Sequence, residues 1–194
     1  VTIENTAPSL SSASIEPADA NTTHDLTISA TGWYDADGDS EDYRVVWFKN
    51  GVQIYEGDTL FSYQFSKGDN VYAHVYPKDD YDEGTFVTAS SIVIQNSPSY
   101  FSGTPFLTPT LLYSDDNLRV NNYGIEDPDG EMGRYTKIIW KVNDVQLTFG
   151  DTVDNINLWE MQPTGSGPIS ISKGDWVNIT LTAWDGEENG EQVF

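Results

Sequence analysis

Val45-Val46-Trp47-Phe48-Lys49-Asn50-Gly51-Val52-Gln53-Ile54-Tyr55 carries the strongest fold signal in the chain. Short apolar runs flank Asn50-Gly51, and both of these turn residues tolerate the positive φ that a type I′ turn requires. The pattern therefore predicts a β-hairpin with Trp47 in the middle of its first strand. A tryptophan at that place is typical of the core of a β-sandwich.

The hairpin recurs downstream, where Trp140 matches Trp47 and Asn143-Asp144 matches Asn50-Gly51. Further segments match in the same order, which indicates two tandem repeats. They are Ile15-Glu16-Pro17 with Leu107-Thr108-Pro109, Asp35-Ala36-Asp37-Gly38-Asp39 with Asp127-Pro128-Asp129-Gly130-Glu131, and Ser66-Lys67-Gly68-Asp69 with Ser172-Lys173-Gly174-Asp175. We assign the repeats to residues 1–96 and 97–194, with an insertion in the second at about 153–171.

Between the turns, apolar and polar residues alternate as they do in half-buried strands. Val71, Ala73 and Val75 form one predicted inward row. The second repeat has a matching row, and its Asn178, Thr180 and Thr182 are predicted to face water. With no helical periodicity, the chain is predicted to be all-β: two tandem immunoglobulin-like antiparallel β-sandwich domains.

The two ends of the chain also match internal segments. Val1–Pro8 resembles Ile92–Pro98, which is the last strand and linker of the first repeat, whereas Phe194 aligns with Thr88. The second repeat is therefore predicted to lack its last strand within this chain. Residues 1–5 are either the tail of a preceding repeat in a longer array or a strand donated to a neighbouring subunit, which would make Val1 and Ile3 subunit contacts.

Charge and composition exclude several partners. The 31 acidic residues outnumber the 9 basic ones and give a net charge of −22, which excludes nucleic acid because phosphate binding needs clustered Lys and Arg. No apolar stretch has the length of a membrane span, so membrane insertion is not expected. An acidic β protein without cysteine fits an extracellular or cell-surface location in a prokaryote.

The acidic residues concentrate in two loops of each repeat, between the second and third strands and between the sixth and seventh. These loops are expected at the same end of a sandwich, where their carboxylates would suit Ca²⁺, a cation that takes 6–8 oxygen ligands. Mg²⁺ is less suited, and the alternative is that the loops are simply solvated turns. The predicted ligands are Asp35, Asp37, Asp39 and Asp79, with Asp127, Asp129, Glu131 and Asp185 in the second repeat.

The linker Asn-x-x-Pro, the Asp-x-Asp-Gly-Asp loop, Trp-x-Lys-Asn-Gly, Gly-Asp-Thr and Lys-Gly-Asp together give the chain a family likeness. It resembles the tandem Ig-like repeats, PKD-related or cadherin-like, of archaeal and bacterial secreted surface proteins. The resemblance implies extracellular arrays such as S-layer proteins, adhesins, filament subunits or spacers beside secreted hydrolases. The insertion and the missing last strand depart from that pattern.

Two further features predict surface roles. Asn21-Thr22-Thr23 and Asn178-Ile179-Thr180 fit the N-glycosylation motif, so Asn21 and Asn178 are candidate glycan acceptors. The insertion carries Trp159 and Met161, which either contact a neighbouring subunit or belong to a self-packed loop.

The residue types for catalysis are sparse: two histidines, no cysteine and no nucleophile motif. We therefore expect no enzyme, but a structural repeat of a surface layer or filament, stiffened by calcium, whose partners are copies of itself or adjacent repeats. The alternative is a carbohydrate-binding or adhesive module, with Trp33-Tyr34, Trp159 and Trp184 as candidate sugar-stacking residues, or a spacer of a secreted hydrolase.

Overall fold

The computed structural model is all-β and describes residues 1–113, 116–121, 123–130, 135–147, 155–157 and 172–194. The chain divides into two compact units, Val1–Ser97 and Pro98–Phe194, called unit 1 and unit 2 below. In the described ranges the only helix is a short 3-10 turn at Ser62–Gln64. No helix in those ranges is both long and apolar enough to cross a bilayer.

Antiparallel strands build both units, as predicted. Unit 1 comprises β1 (Ser12–Glu16), β2 (Leu26–Thr31), β3 (Asp42–Lys49), β4 (Val52–Glu56), β5 (Thr59–Leu60), β6 (Asn70–Lys78) and β7 (Val87–Val93). The described part of unit 2 comprises β8 (Tyr100–Phe101), β9 (Phe106–Thr108), β10 (Asn117–Asn121), β11 (Ile125–Glu126), β12 (Tyr135–Val142), β13 (Val145–Gln146), β14 (Asn155–Asn157), β15 (Val177–Trp184) and β16 (Asn189–Val193).

Unit 1 is a sandwich of two sheets with strand orders β1-β2-β5 and β4-β3-β6-β7. Strands β3 and β4 form the expected hairpin, and its turn residues Asn50 and Gly51 have φ of 51° and 83°. These positive angles belong to a type I′ turn, which matches the right-handed twist of the two strands. The hairpin prediction is confirmed.

The core of unit 1 lies between its two sheets and centres on Trp47. This side chain is 0 % exposed, and its Nε1 donates a hydrogen bond to the Gly57 carbonyl at 2.8 Å. The predicted inward row of β6 is confirmed, because Val71, Ala73 and Val75 are all completely buried. Burial of this apolar surface is the main stabilising contribution to the unit.

The four-stranded sheet of unit 1, β4-β3-β6-β7, has a counterpart in unit 2 with the strand order β13-β12-β15-β16. Unit 2 also contains the smaller sheets β14-β10-β9 and β11-β8. Trp140 is buried on β12 as Trp47 is on β3. Leu118 of β10 pairs with Ile156 of β14, as Leu26 pairs with Leu60 in unit 1. Residues 155–157 therefore belong to the common sheet, although the sequence placed them in the insertion; of the insertion, only these three residues are described.

The prediction that unit 2 lacks its last strand needs a correction. Strand β16 pairs antiparallel with β15, and Val193 lies opposite Leu181 as Val87 lies opposite Val75 in unit 1. Unit 2 thus has the beginning of the strand that β7 forms in unit 1. The sequence comparison missed it because the first residues, Asn189–Gln192, look like the acidic loop.

A second correction concerns the polar row of β15. Thr180 and Thr182 were predicted to face water, but they are only 9 % and 7 % exposed. Both are small side chains beside larger neighbours, since Thr180 pairs with Ile139 across the sheet and Thr182 accepts a hydrogen bond from Gln192 at 2.9 Å. Alternation gives the face of the sheet, but neighbouring side chains decide how much water reaches it.

Candidate metal centre

The loop after β2 is organised by the carboxylate of Asp35. Its Oδ1 accepts hydrogen bonds from the backbone N–H groups of Asp37 at 2.8 Å and Asp39 at 3.1 Å. Such side-chain bonds to the following backbone are characteristic of aspartate turns. Gly38, with φ of 84°, takes the left-handed conformation that completes the bend.

The loop after β6 is organised in the same way by Asp79. Its Oδ1 accepts hydrogen bonds from the N–H groups of Tyr81 and Asp82, both at 2.7 Å. The N–H of Asp82 above all, together with that of Tyr81 and the Asn5 amide, lowers the pKa of Asp79. This carboxylate is therefore held in its charged form.

The two loops meet at one point. One carboxylate oxygen from each of Asp35, Asp39 and Asp79 lies within 4.8 Å of the other two. Oxygen ligands at 2.3–2.6 Å from one Ca²⁺ lie at most about 5 Å apart, so this spacing suits a shared ion. The prediction that the two loops converge rests on sandwich topology, and the structure does bring these three predicted ligands together.

The electrostatics of the group favour a cation. Desolvation, followed by the negative charges of Asp35 and Asp79, raises the pKa of Asp39. The carboxylates therefore repel one another when no positive charge lies between them. A bound cation or a proton on Asp39 would relieve that repulsion.

A buried oxygen without a partner supports the cation reading independently. Asp35 is 8 % exposed, and its Oδ2 has no hydrogen-bond partner. A buried carboxylate oxygen without a partner costs free energy, so native structures rarely contain one unless a water or ion binds it. Three carboxylates offer oxygen ligands only, and one of them carries such an atom, so the group could hold a hard divalent cation.

Asp37, the fourth predicted ligand of the first repeat, is not part of this group. It is exposed, and its Oδ2 accepts a hydrogen bond from the backbone N–H of Thr6 at 2.8 Å. Because the N–H of Asp37 bonds to Asp35, the chain turns there rather than staying extended. The assumption that three alternating carboxylates aim at one point therefore failed for the middle residue.

The N-terminal segment contributes contacts that the sequence interpretation missed. The Asn5 amide donates to Asp79 Oδ2 at 3.2 Å and to Asp82 Oδ2 at 3.1 Å. Thr6 contacts the other loop through Asp37, so both loops bind the same short segment. Asn5 recurs as Asn96 in the linker of the first repeat, and this recurrence was the sequence signal that could have identified Asn5 as a contact residue.

Unit 2 contains the same kind of turns. Asp127 Oδ1 accepts the N–H of Asp129 at 2.8 Å, and Asp127 Oδ2 is buried without a partner. Asp185 is 2 % exposed, and its Oδ1 accepts the N–H groups of Glu187 and Glu188 at 2.7 and 2.8 Å. Among the described residues of this unit, however, no three acidic groups meet as closely as in unit 1; the predicted ligand Glu131 lies outside them.

The two predicted glycan acceptors have different surroundings. Asn21 is half-buried, and its Oδ1 accepts hydrogen bonds from the N–H and hydroxyl of Thr23, at 3.0 and 2.7 Å. Asn178 is also half-buried, and its Oδ1 is shielded from water and has no partner. Glycosylation at both positions stays a prediction.

The other predicted contact residues are spread over the molecule. Val1 and Ile3 are exposed, and Tyr34 is exposed beside Trp33, whose Nε1 is buried. Lys137 Nζ lies 3.4 Å from the ring centroid of Trp184 and covers one face of this ring. Trp159 and Met161 lie outside the described residues.

Comparison with protein-family models and with curated proteins finds no match to this chain. The proposed functions below therefore depend on the geometry of the chain itself and on the motif resemblance given above.

Proposed function

We propose that the chain is a non-catalytic structural module of an extracellular surface layer or filament, in which bound calcium fixes the loop end of unit 1. The acidic composition and the cysteine-free β-sandwich support this function. The motif resemblance to secreted surface repeats supports the location.

One observation carries the calcium part: Asp35, Asp39 and Asp79 each bring a carboxylate oxygen within 4.8 Å of the other two, and Asp35 also has a buried Oδ2 without a partner. Each of the two turns is already ordered by its own aspartate, through bonds of 2.7–3.1 Å. The ion would therefore join two preformed turns rather than fold a loop. Preformed ligands lose little conformational entropy on binding.

The same ion would stiffen the N-terminal segment. Asn5 binds the Asp79 turn and Thr6 binds the Asp35–Asp39 turn, so fixing the turns also fixes the chain that enters the unit. A rigid entry segment is what a rod-like array of repeats requires. This gives the ion a mechanical role and no catalytic one.

The test is calcium titration of chelator-treated protein by calorimetry, together with thermal unfolding in calcium, magnesium and chelator. We expect calcium to bind and to raise the unfolding temperature of unit 1 more than magnesium does. Asp79→Asn retains the acceptor that orders its turn but removes a charge from the group, so it should weaken binding. Asp19→Asn removes an exposed charge outside the group and serves as the matched control.

An unfolding temperature that is the same in calcium and in chelator, with no heat of binding, would refute the calcium site. Equal weakening by Asp19→Asn and Asp79→Asn would show that only the overall negative charge attracts the ion.

A second candidate, a glycan-binding adhesive module, is favoured by an aromatic row on the outer face of β3, β6 and the β6–β7 loop. The Phe48 and Tyr72 rings lie 4.8 Å apart and within 2° of parallel, and Phe86 stacks on His74 at 4.1 Å. These are not the aromatics that the sequence singled out. Affinity electrophoresis on soluble polysaccharides should show retardation that Phe86→Ser abolishes; unretarded wild-type protein would eliminate this candidate.

A further inference from the structure

The two Asn-x-Thr motifs of the chain lie in different kinds of structure. Asn21-Thr22-Thr23 forms a turn between β1 and β2 of unit 1. Asn178-Ile179-Thr180 lies inside β15, a strand that pairs with β12 along its whole length. This motif accepts N-linked glycans in the surface loops of secreted proteins. The two asparagines are therefore not equivalent acceptors.

In the first motif, the side chain of Asn21 is already held beside the hydroxyl that the motif requires. Its Oδ1 accepts hydrogen bonds from the Thr23 hydroxyl at 2.7 Å and from the Thr23 N–H at 3.0 Å. The Asn21 carbonyl accepts the N–H of His24 at 3.2 Å, which closes the turn. Thr23 and His24 are both exposed, so an enzyme can reach the amide and the hydroxyl together from the solvent side.

The nitrogen of the Asn21 side chain is the atom to which a glycan would be attached. Within the described ranges, Nδ2 of Asn21 donates no hydrogen bond, whereas Oδ1 accepts both of the bonds from Thr23. A glycan on Nδ2 replaces one hydrogen and leaves Oδ1 as an acceptor. The modification therefore removes none of the hydrogen bonds that hold the turn.

The second motif is fixed in a sheet. Asn178 lies opposite Lys141, and Thr180 lies opposite Ile139. Residues two apart in a strand are separated by about 7 Å; Asn178 Oδ1 is shielded from water and has no partner. Thr180 is only 9 % exposed. Strand β15 would have to open before an enzyme could bind this asparagine and this threonine together.

We propose that Asn21 is the N-glycosylation site of the folded chain and that Asn178 is not modified. The donor is a glycan carried on a lipid phosphate or diphosphate. Nδ2 of Asn21 forms a bond to the anomeric carbon of the first sugar and loses one proton. The bond from that carbon to the phosphate oxygen breaks, and the lipid phosphate leaves with the bonding electrons.

A glycan at this position would also restrict where unit 1 can contact a partner. Asn21 forms a parallel bridge with Gln95, and the hydroxyls of Thr22 and Ser97 lie 2.7 Å apart. The acceptor turn therefore lies against the segment that follows β7. Because a glycan is bulky and hydrophilic, protein contacts of unit 1 would have to use its other faces.

This inference rests on the proposed extracellular location, because N-glycans are added to secreted chains, but it does not depend on calcium. The test incubates the folded, unglycosylated 194-residue chain with a lipid-linked glycan and an oligosaccharyltransferase that accepts plain Asn-x-Thr motifs. Glycopeptide mass spectrometry then gives the rate at each asparagine. Asn21 should be modified, and Asn178 at least about 100-fold more slowly, because β15 must open first. Since this assay does not involve location, its failure would leave the proposed function standing.

Variants and short peptides separate the effect of the fold from that of the motif. Thr23→Val should abolish modification of Asn21 and Thr23→Ser should retain it, with folding of both checked by circular dichroism. Peptides of residues 16–26 and 173–183 should both be modified, because neither is held in a sheet. The proposal is overturned if the folded chain is unmodified at Asn21 or if Asn178 reacts as fast as Asn21. It is also overturned if the 173–183 peptide is inert, because the resistance of Asn178 would then come from its sequence and not from the strand.

Discussion

The buried carboxylate of Asp35 leads to a substitution whose effect on stability changes with calcium. Asp35→Asn keeps the Oδ1 acceptor that orders the turn at 2.8 and 3.1 Å. It replaces the oxygen that has no partner with an amide that can donate to Asp39 or Asp79. In chelator the variant should therefore be more stable than the wild type.

The magnitude follows from the cost of a buried polar atom without a partner, which is about 1–3 kcal/mol. For a domain of this size, each kcal/mol shifts the unfolding temperature by about 4–8 °C. In calcium at about 100 times its dissociation constant, the wild type gains about 2.7 kcal/mol. The variant loses most of that gain, because a charged ligand is gone.

The quantity to measure is the calcium-induced rise in unfolding temperature of unit 1, for wild type and variant, by calorimetry. Hydrogen exchange of β3 and β6 peptides identifies the transition that belongs to this unit. We expect the rise to be about 10–20 °C smaller in the variant than in the wild type. Asp35→Ala, which also removes the turn bonds, should be less stable than the wild type in both conditions.

Equal calcium-induced rises in wild type and Asp35→Asn would refute the reasoning. So would an Asp35→Asn protein that is less stable than the wild type in chelator, since the orphaned oxygen would then carry no cost.

Three further substitutions test individual contacts by urea or thermal unfolding. Glu83→Gln should cost about 0.2–1 kcal/mol at neutral pH. Since Arg44 lowers the pKa of Glu83, this loss should persist at mildly acidic pH and disappear once the pH falls through the lowered pKa of the folded protein. Asp144→Gly should stabilise unit 2 by about 0.5 kcal/mol, because φ is 67° there and glycine takes that angle freely. Gly84→Ala should cost about 1–3 kcal/mol, because its Cβ would lie 1.8 Å from the Pro8 carbonyl oxygen.

Two of these, Glu83→Gln and Asp144→Gly, have a counterpart elsewhere in the chain. Lys137 donates to Asn189 at 2.8 Å where Arg44 contacts Glu83, so an Asn189 variant should show no acid-dependent loss. Gly51→Asp makes the opposite substitution at the equivalent turn position of unit 1, so it should destabilise that unit. A pH-independent effect at Glu83, or a destabilised Asp144→Gly protein, would contradict these expectations.

Local patterns in the sequence predicted the strands well. Asn50-Gly51 marked the hairpin turn, and the alternation around Ala73 marked a core strand, since both signals depend on residues close together in the chain. The exposure of Thr180 and Thr182 was predicted wrongly, because it depends on Ile139 and Gln192, which reach these threonines only through sheet pairing.

The sequence predicted which loops would form the candidate metal site, but it did not predict which atoms of those loops would meet. Sandwich topology brought the Asp35–Asp39 and Asp79 turns together. It could not show that Asp37 would bind the backbone of Thr6, or that Asn5 would enter the site. Those contacts come from the path of the N-terminal segment, which the repeat comparison assigned to a neighbouring domain or subunit.

Both units contain acidic loops in which an aspartate orders its own turn through one carboxylate oxygen. Asp35, Asp79, Asp127 and Asp185 each use Oδ1 to bind backbone N–H groups of the next few residues. In Asp35 and Asp127 the second oxygen is buried without a partner. Because the turns hold themselves, an ion at the Asp35 site would stabilise the link between two turns more than either turn. Such an ion would leave the fold of the sandwich intact, because each turn is already ordered by its own aspartate.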